Sequence, residues 1–301
     1  MTLAANTNQR FGFAAIIGAP NAGKSTLVNQ LVGSKISIVS HKVQTTRSRI
    51  RAILVAGDVQ AVLVDTPGIF VPKRKLDEAM VESAWAGASE ADCVMLLIDA
   101  RRGMDEQAEA IIAKLKVGKA RIMLVLNKTD LLPAEKLLPL SQKLNEAFSF
   151  TDTFMVSALN GSGVDALRTK ICLMMPAEPW HYPGDQSADV NMRFLAAEIT
   201  REKIYERLHD ELPYSSTVET EGWEERRDGS VKISQTIFVE RDGQKAIVLG
   251  KGGQTVKTLG QLARTDMEQS FDRRVHLFLF VKVRENWSQV PERLRMMGLG
   301  N

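Results

Sequence analysis

Gly18-Ala19-Pro20-Asn21-Ala22-Gly23-Lys24-Ser25 follows the apolar run Phe11 to Ile17, and Ser25 to Val32, Thr26 included, continues as a helix-patterned stretch. Two glycines around four residues, then Lys-Ser, is the pattern of a loop that wraps nucleotide phosphates. Small residues let backbone N–H groups approach the anion, and the helix that follows adds the positive end of its dipole. Gly18 and Gly23 allow that approach, with Ala19, Pro20, Asn21, Ala22 and Thr26 completing the cradle. Lys24 is expected to reach the β and γ phosphates, and Ser25 to ligate Mg²⁺ through its hydroxyl. Taken alone, the loop would equally suit an ATPase.

The motifs downstream choose the base. Asp65-Thr66-Pro67-Gly68 closes the strand-like run Ala61 to Val64. Asp65 is expected to hold the metal's water shell, and Gly68 to offer its N–H to the γ-phosphate. Asn127-Lys128-Thr129-Asp130 follows the apolar run Ile122 to Leu126, and Ser157-Ala158-Leu159 comes after it. A carboxylate at Asp130 can accept from guanine N1–H and the exocyclic amine together, a donor pair that adenine lacks. The Ala158 N–H would close on the guanine carbonyl. The order of these elements, each after an apolar strand, points to GTP and GDP as ligands.

Between the loop and Asp65 lies Gln44-Thr45-Thr46-Arg47. A switch threonine should ligate Mg²⁺ and touch the γ-phosphate; Thr46 is the expected residue, Thr45 the alternative, and a plain reading makes both ordinary loop hydroxyls. Ile69 and Phe70 follow Gly68, where other GTPases carry a glutamine that orients the attacking water. The expected metal set is Ser25, Thr46 and Asp65.

Residues 11 to 175 alternate apolar runs with amphipathic stretches, the signature of a doubly wound, mostly parallel α/β sheet with ligand residues at the carboxyl ends of its strands. Cys93 to Ile98 reads as a strand, and Asp105 to Lys116 and Val164 to Met174 as crossover helices. The proline-rich stretch Met175 to Gly184 cannot be a long helix. This divides the chain into a nucleotide domain at 1–176, a linker at 177–189 and a second domain at 190–301. That domain reads as a helix over Asn191 to His209, strands over Ser215 to Trp223 and Val231 to Glu240, a segment Gln244 to Leu249, a helix over Gln254 to Gln269 and a strand over Val275 to Val283.

Between the last two helical segments stands a second glycine loop, Gly250-Lys251-Gly252-Gly253. From Gln244 to Arg264 there is no acid, while Lys245, Lys251, Lys257 and Arg264 occur. Gly-x-x-Gly alone is an ordinary turn signal. Set between two helices with a cationic face, it reads as a clamp for the backbone of single-stranded RNA, with Lys245, Gly250, Lys251, Gly252, Gly253, Lys257 and Arg264 as contacts.

Bulk properties set bounds. The 301 residues suffice for two domains, and a net charge of +3 makes a polyanionic partner plausible without requiring one. The two cysteines, Cys93 and Cys172, form no metal or redox motif, which suits a reducing cytosol. The first ten residues lack the apolar core of a secretory signal, and no stretch has the length of a spanning helix.

GAPNAGKS, QTTR, DTPG, NKTD and SA in one domain, with ELPYSS (Glu211 to Ser216), FVERDGQK (Phe238 to Lys245), LGKGG and HLFLFVKV (His276 to Val283) in the other, resemble the Era family over nearly the whole chain. The resemblance implies a P-loop GTPase domain followed by an α+β type II KH domain. It also implies binding to the 3′ end of 16S ribosomal RNA, a role in 30S subunit maturation, and a cytoplasmic location with peripheral association with the inner membrane. A monomer is expected. Asn21, Lys24, Thr46, Asp65 and Gly68 would carry the hydrolysis. In related GTPases a P-loop asparagine binds K⁺ where others place an arginine finger; Asn21 fits that role or merely shapes the loop. Many family members carry Asn-Lys between the loop glycines, whereas this chain has Lys251-Gly252. A tRNA-modification GTPase shares the switch pattern but would ordinarily lack the KH pattern. A non-enzymatic RNA-binding module is opposed by the intact Lys24, Ser25, Thr46 and Asp65.

Overall fold

The computed structural model describes residues 8–115, 121–290 and 299. The chain forms two compact units. One holds the chain up to Ser37 with Thr46–Asp189, and the other holds Ile38–Thr45 with the chain from Val190 through the last strand.

The first unit runs β1 (Arg10–Ile17), α1 (Lys24–Val32), β2 (Ile50–Ala56), β3 (Val59–Asp65), α2 (Lys75–Ser89), β4 (Cys93–Asp99), α3 (Glu106–Leu115), β5 (Ile122–Asn127), α4 (Ala134–Ala147), β6 (Asp152–Met155) and α5 (Val164–Met174). Lys116, the last residue of the expected crossover helix, lies outside the described residues. The strands form one six-stranded sheet in the order β2-β3-β1-β4-β5-β6. β2 is antiparallel to β3, and every other pairing is parallel. Every residue of β4 and β5 is buried, as expected where helices cover both faces of a parallel sheet. Leu96, Ile98, Leu124 and Leu126 pack there against Ala84 of α2, Ile111 and Ile112 of α3 and Leu144 of α4.

This topology sets where chemistry can occur. β1, β3, β4 and β5 run in one direction, so the loops after them open along one edge of the sheet. β1 sits where the strand order reverses, the position at which open α/β sheets leave a crevice for ligand.

The proline-rich stretch is not a free tether but folds onto the first unit. Trp180 Nε1 donates to the Asp58 carbonyl at 3.0 Å, and His181 stacks on Phe11 with ring centroids 3.8 Å apart. Ala188 makes an antiparallel bridge to Ala52, and Ile53 N donates to Ser187 O at 2.8 Å. These contacts cover the edge strand β2, whose open backbone groups would otherwise invite another strand. Proline ruled out a helix here; it did not rule out docking.

The second unit runs α6 (Met192–Arg207), β7 (Ser216–Glu225), β8 (Val231–Val239), α7 (Asp242–Leu249), α8 (Gln254–Phe271) and β9 (Val275–Val283), the α-β-β-α-α-β order of a type II KH domain. Its three strands lie in the order β7-β8-β9, with β7 antiparallel and β9 parallel to β8. Ala197 and Ile204 of α6, Val248 of α7 and Leu259 of α8 close over Val218 and Ile237 of the sheet. Ile38–Thr45 joins this unit by capping α6. Lys42 Nζ donates to the carbonyls of Tyr205 and Leu208, two groups the helix end leaves without intrahelical partners, and Val39 N donates to Glu202 Oε1 at 2.8 Å.

α6 also buries an ion pair. Arg201, 2% exposed, donates from Nε to Glu198 Oε1 at 2.7 Å, pairs its fork with Glu198 Oε2, and lies 5.3 Å from the Tyr205 ring centre. Removing one member of such a pair strands the other without its counter-charge, at a cost of about 3–5 kcal/mol, whereas replacing both by apolar groups is often near neutral. Glu198→Ala is therefore expected to lower stability by about that amount in urea unfolding, and Glu198→Leu combined with Arg201→Met to recover most of it. Equal losses in both variants would contradict this account of the pair.

Candidate functional site

The glycine loop leaves β1 at Ile17 and enters α1 at Lys24. Gly23 takes φ +98°, and a Cβ there would lie 2.3 Å from Asn127 Nδ2, so only glycine lets the loop meet the end of β5. Lys24 is buried and donates from Nζ to the carbonyls of Gly18 at 3.1 Å and Ala19 at 3.0 Å. Burial lowers its pKa to about 8, although the nearby Asp65 carboxylate pulls the other way. Thr26 is half-buried on the first turn of α1, and Asn21 is exposed with a left-handed φ of 63°.

Ser25 Oγ and Thr46 Oγ1 stand 2.8 Å apart. The alternative, Thr45, turns away: its hydroxyl meets Ser40 Oγ at 2.6 Å and donates to Lys42 O at 2.8 Å. Asp65, at the end of β3, is wholly buried, and neither carboxylate oxygen has a hydrogen-bond partner. Burial raises its pKa; the hydroxyls of Ser25, Ser37 and Thr46 and the Lys24 ammonium counter this without reaching bonding geometry. Orphaned buried carboxylate oxygens beside two hydroxyls form a hard-oxygen donor set, which fits Mg²⁺ rather than a softer ion. Beyond Asp65 the chain is pinned to the loop. Thr66 Oγ1 donates to Ile16 O at 2.7 Å, and Ile69 N donates to Gly18 O at 3.0 Å, which brings Pro67 and Gly68 alongside the phosphate cradle.

The turn expected to read the base is organised by Asn127. Its Nδ2 donates to Ala22 O at 2.8 Å, and its Oδ1 accepts from Ala158 N at 2.9 Å. The Ala158 N–H, expected to face a guanine carbonyl, here donates to Asn127 Oδ1 and holds that amide in place. Lys128 has φ 64° and reaches back to Asn21 O at 2.6 Å and Asp99 Oδ2 at 2.7 Å. Asp130 and Leu159 are exposed, the latter at 80%, while Ser157 is buried. Sequence reading passed over Asp99. The signal was available: Asp99 ends the apolar run of β4 just as Asp65 ends that of β3.

The second glycine loop lies in the second unit. Gly250 takes φ +72°, and a Cβ there would meet Thr255 Oγ1 at 2.1 Å. Lys251–Gly253 form a short 3-10 turn that hands the chain to α8. Lys251 and Gly252 are exposed at the tip, while Gly253 is partly covered. Lys257 and Arg264 are exposed and seven residues apart on α8, which puts them on one face; Lys245 on α7 is half-buried.

The Lys24 ammonium gives a pH prediction. Bound phosphates hold it protonated, while the free site lets go of the proton near pH 8. Nucleotide affinity is expected to be level with respect to this group below about pH 8 and to fall toward tenfold per pH unit above it, a slope that Lys24→Met abolishes. GDP titrations from pH 6.5 to pH 9.5 would detect this (a range of roughly one to two units on either side of the transition). A flat profile in the unaltered protein would contradict the buried-ammonium reading.

Comparison with known proteins places these features. The family described as "50S ribosome-binding GTPase" matches residues 13–128, and the one described as "KH domain" matches residues 211–288. GTPase Era of Afipia carboxidovorans is 62% identical over 290 residues, spanning 96% of this chain and 94% of its own. GTPase Era of Brucella suis is 60% identical over 293 residues, spanning 97% and 94%. Among solved structures, an Era protein in complex with MgGDPNP and nucleotides 1506–1542 of 16S ribosomal RNA superposes with a TM-score of 0.92 at 36% identity, covering 96% of this chain and 99% of that one. A variant of Aquifex aeolicus Era bound to GDP·AlF4⁻ superposes equally, with a TM-score of 0.92 at 36% identity and the same coverage. Sharing about 60% identity with GTPase Era proteins over nearly its whole length, the chain belongs to the Era family of GTPases.

Proposed function

We propose that this GTPase is a molecular switch that grips the 3′ end of 16S ribosomal RNA through Gly250–Gly253 and assists 30S subunit maturation. The observation that carries the reading is the whole-chain likeness to an Era protein solved with MgGDPNP and that RNA, combined with an exposed Lys251-Gly252 tip followed by Lys257 and Arg264 on one face of α8. Association with the inner membrane from the cytoplasmic side is part of the proposal and rests on the family resemblance. No helix among the described residues is long and apolar enough to cross a membrane.

In the nucleotide site, Lys24 supplies the cation for the β and γ phosphates, and the loop N–H groups complete the cradle. Ser25, Thr46 and Asp65 would hold Mg²⁺, which when bound offsets the charge on those phosphates. Ile69 is 7% exposed and packed in the core, so the residue after Gly68 cannot orient water. Intrinsic turnover is therefore slow, and Asn21 contributes through K⁺. Exchanging Na⁺ for K⁺ at equal ionic strength should raise the hydrolysis rate, and Asn21→Ala should erase the difference. Equal rates of the unaltered protein in both salts would exclude K⁺ and leave catalysis to a bound partner.

For RNA, Lys251→Asp with Gly252→Asp sets like charge against the strand's backbone without touching the phosphate loop. Binding of a labelled 16S 3′-end oligonucleotide should be lost while GTP affinity is retained. Normal binding by the acidic pair would remove the loop from the RNA site. GTP should tighten RNA binding, and RNA should tighten GTP binding by the same factor. What supports this coupling is that Ile38–Thr45, which leads directly into Thr46, folds with the unit that carries the glycine loop.

A further inference from the structure

Asp99 poses an electrostatic question. It is 6% exposed and sits at a site that must accept a polyanionic nucleotide, where a buried carboxylate is repelled by the ligand. Its register explains its place: β4 and β5 pair so that Asp99 lies directly opposite Asn127, one residue before Lys128. Lys128 Nζ lies 2.7 Å from Asp99 Oδ2 and 2.6 Å from Asn21 O. The other oxygen, Oδ1, accepts from Arg101 N at 3.0 Å, which fixes the plane of the carboxylate. Arg101 also reaches both oxygens with its guanidinium, at 3.4 Å and 3.2 Å, but its side chain is 52% exposed. Lys128 is less exposed, at 24%.

A lysine stem is long and flexible, and an ammonium at its end has no preferred direction unless something supplies one. Here two acceptors supply it. The Asn21 carbonyl belongs to the phosphate loop, and the Asp99 carboxylate belongs to a rigid central strand. Together they draw the Lys128 stem from the base-reading corner across to the loop. The carboxylate's repulsion for the nucleotide is offset because its charge is already paired.

We propose that Asp99 is a positioning residue for guanine-nucleotide binding, acting by fixing Lys128 between the base-reading corner and the phosphate loop. The inference rests on the reading of Asn127–Asp130 as the corner that meets the base. Asp99 has no direct role toward the nucleotide in this account. Its effect therefore passes through Lys128 and is shared by GDP and GTP.

A double-variant cycle tests it. GDP and a non-hydrolysable GTP analogue are titrated calorimetrically into the unaltered full-length protein, Asp99→Asn, Lys128→Met and the double variant. Asn is nearly isosteric with Asp, and melting of the nucleotide-free proteins verifies that each is folded. The expected result is at least about tenfold weaker binding of both nucleotides in Asp99→Asn, the size of a hydrogen bond to a charged group, and less than about twofold further loss when the same change is made in Lys128→Met. The same factor in both backgrounds would overturn the proposal, since Asp99 would then act independently of Lys128; so would undiminished binding in Asp99→Asn. Asp130→Asn, tested with GDP and xanthosine diphosphate, monitors the underlying reading. A variant that keeps its preference for GDP would overturn the base-corner assignment itself, a failure distinct from additivity in the cycle.

Discussion

The Asn127 side chain is the tie on which the nucleotide site depends. One carboxamide joins three segments: its own strand end, the phosphate loop through Ala22 O, and the Ser157-Ala158 turn through Ala158 N. Asn127 is 1% exposed, so each bond it makes is shielded from water, and each bond lost would strand a buried group at a cost of about 1–3 kcal/mol. Gly23 lies so close to this amide that no side chain fits between them. The phosphate loop and the Ser157-Ala158 turn are thus tied to one strand end. That is the pre-organisation a small-ligand site requires if it is not to spend binding energy on its own assembly.

Around that tie the site divides by charge. Lys24 is buried with its amine pKa lowered, and Asp65 is buried with its carboxyl pKa raised and its oxygens unbonded. Both groups are held in an environment that disfavours their charged forms. Such perturbation at the mouth of a parallel sheet is the mark of a site built for an external charge, here the nucleotide phosphates. Asp99 and Lys128 are the contrasting pair: each partners the other, and Asp99 stays below the usual carboxylate range because the Arg101 and Lys128 contacts outweigh its burial.

Much of this was legible in the sequence because the motifs sit at fixed backbone positions. The continuous apolar runs of β4 and β5 and the positions after them were readable, and so was the α-β-β-α-α-β order of the second unit. What escaped has physical reasons. β2 carries Arg51 within its apolar run, and β6 is only four residues long and nowhere fully buried, so neither shows a strong period. α4 contains Pro139, a residue that normally argues against a helix, and α2 is diluted by Ala and Gly. Docking of the proline-rich stretch depends on Trp180 and His181 finding partners more than 100 residues earlier in the chain, which no local pattern encodes. Ile38–Thr45 grouping with α6 depends likewise on Lys42 meeting a helix end far along the chain. The motif points the Ala158 N–H toward the base, while its bond to Asn127 joins residues 31 apart and has no local signature.

The proposed action of this GTPase on the 3′ end of 16S ribosomal RNA runs through its second glycine loop. Crosslinking in cells followed by sequencing of the attached RNA tests it most directly. Crosslinks are expected to concentrate at that 3′ end and to disappear when Lys251 and Gly252 are both made acidic. Crosslinks centred on transfer RNA, or a 16S signal that persists in the acidic pair, would contradict it.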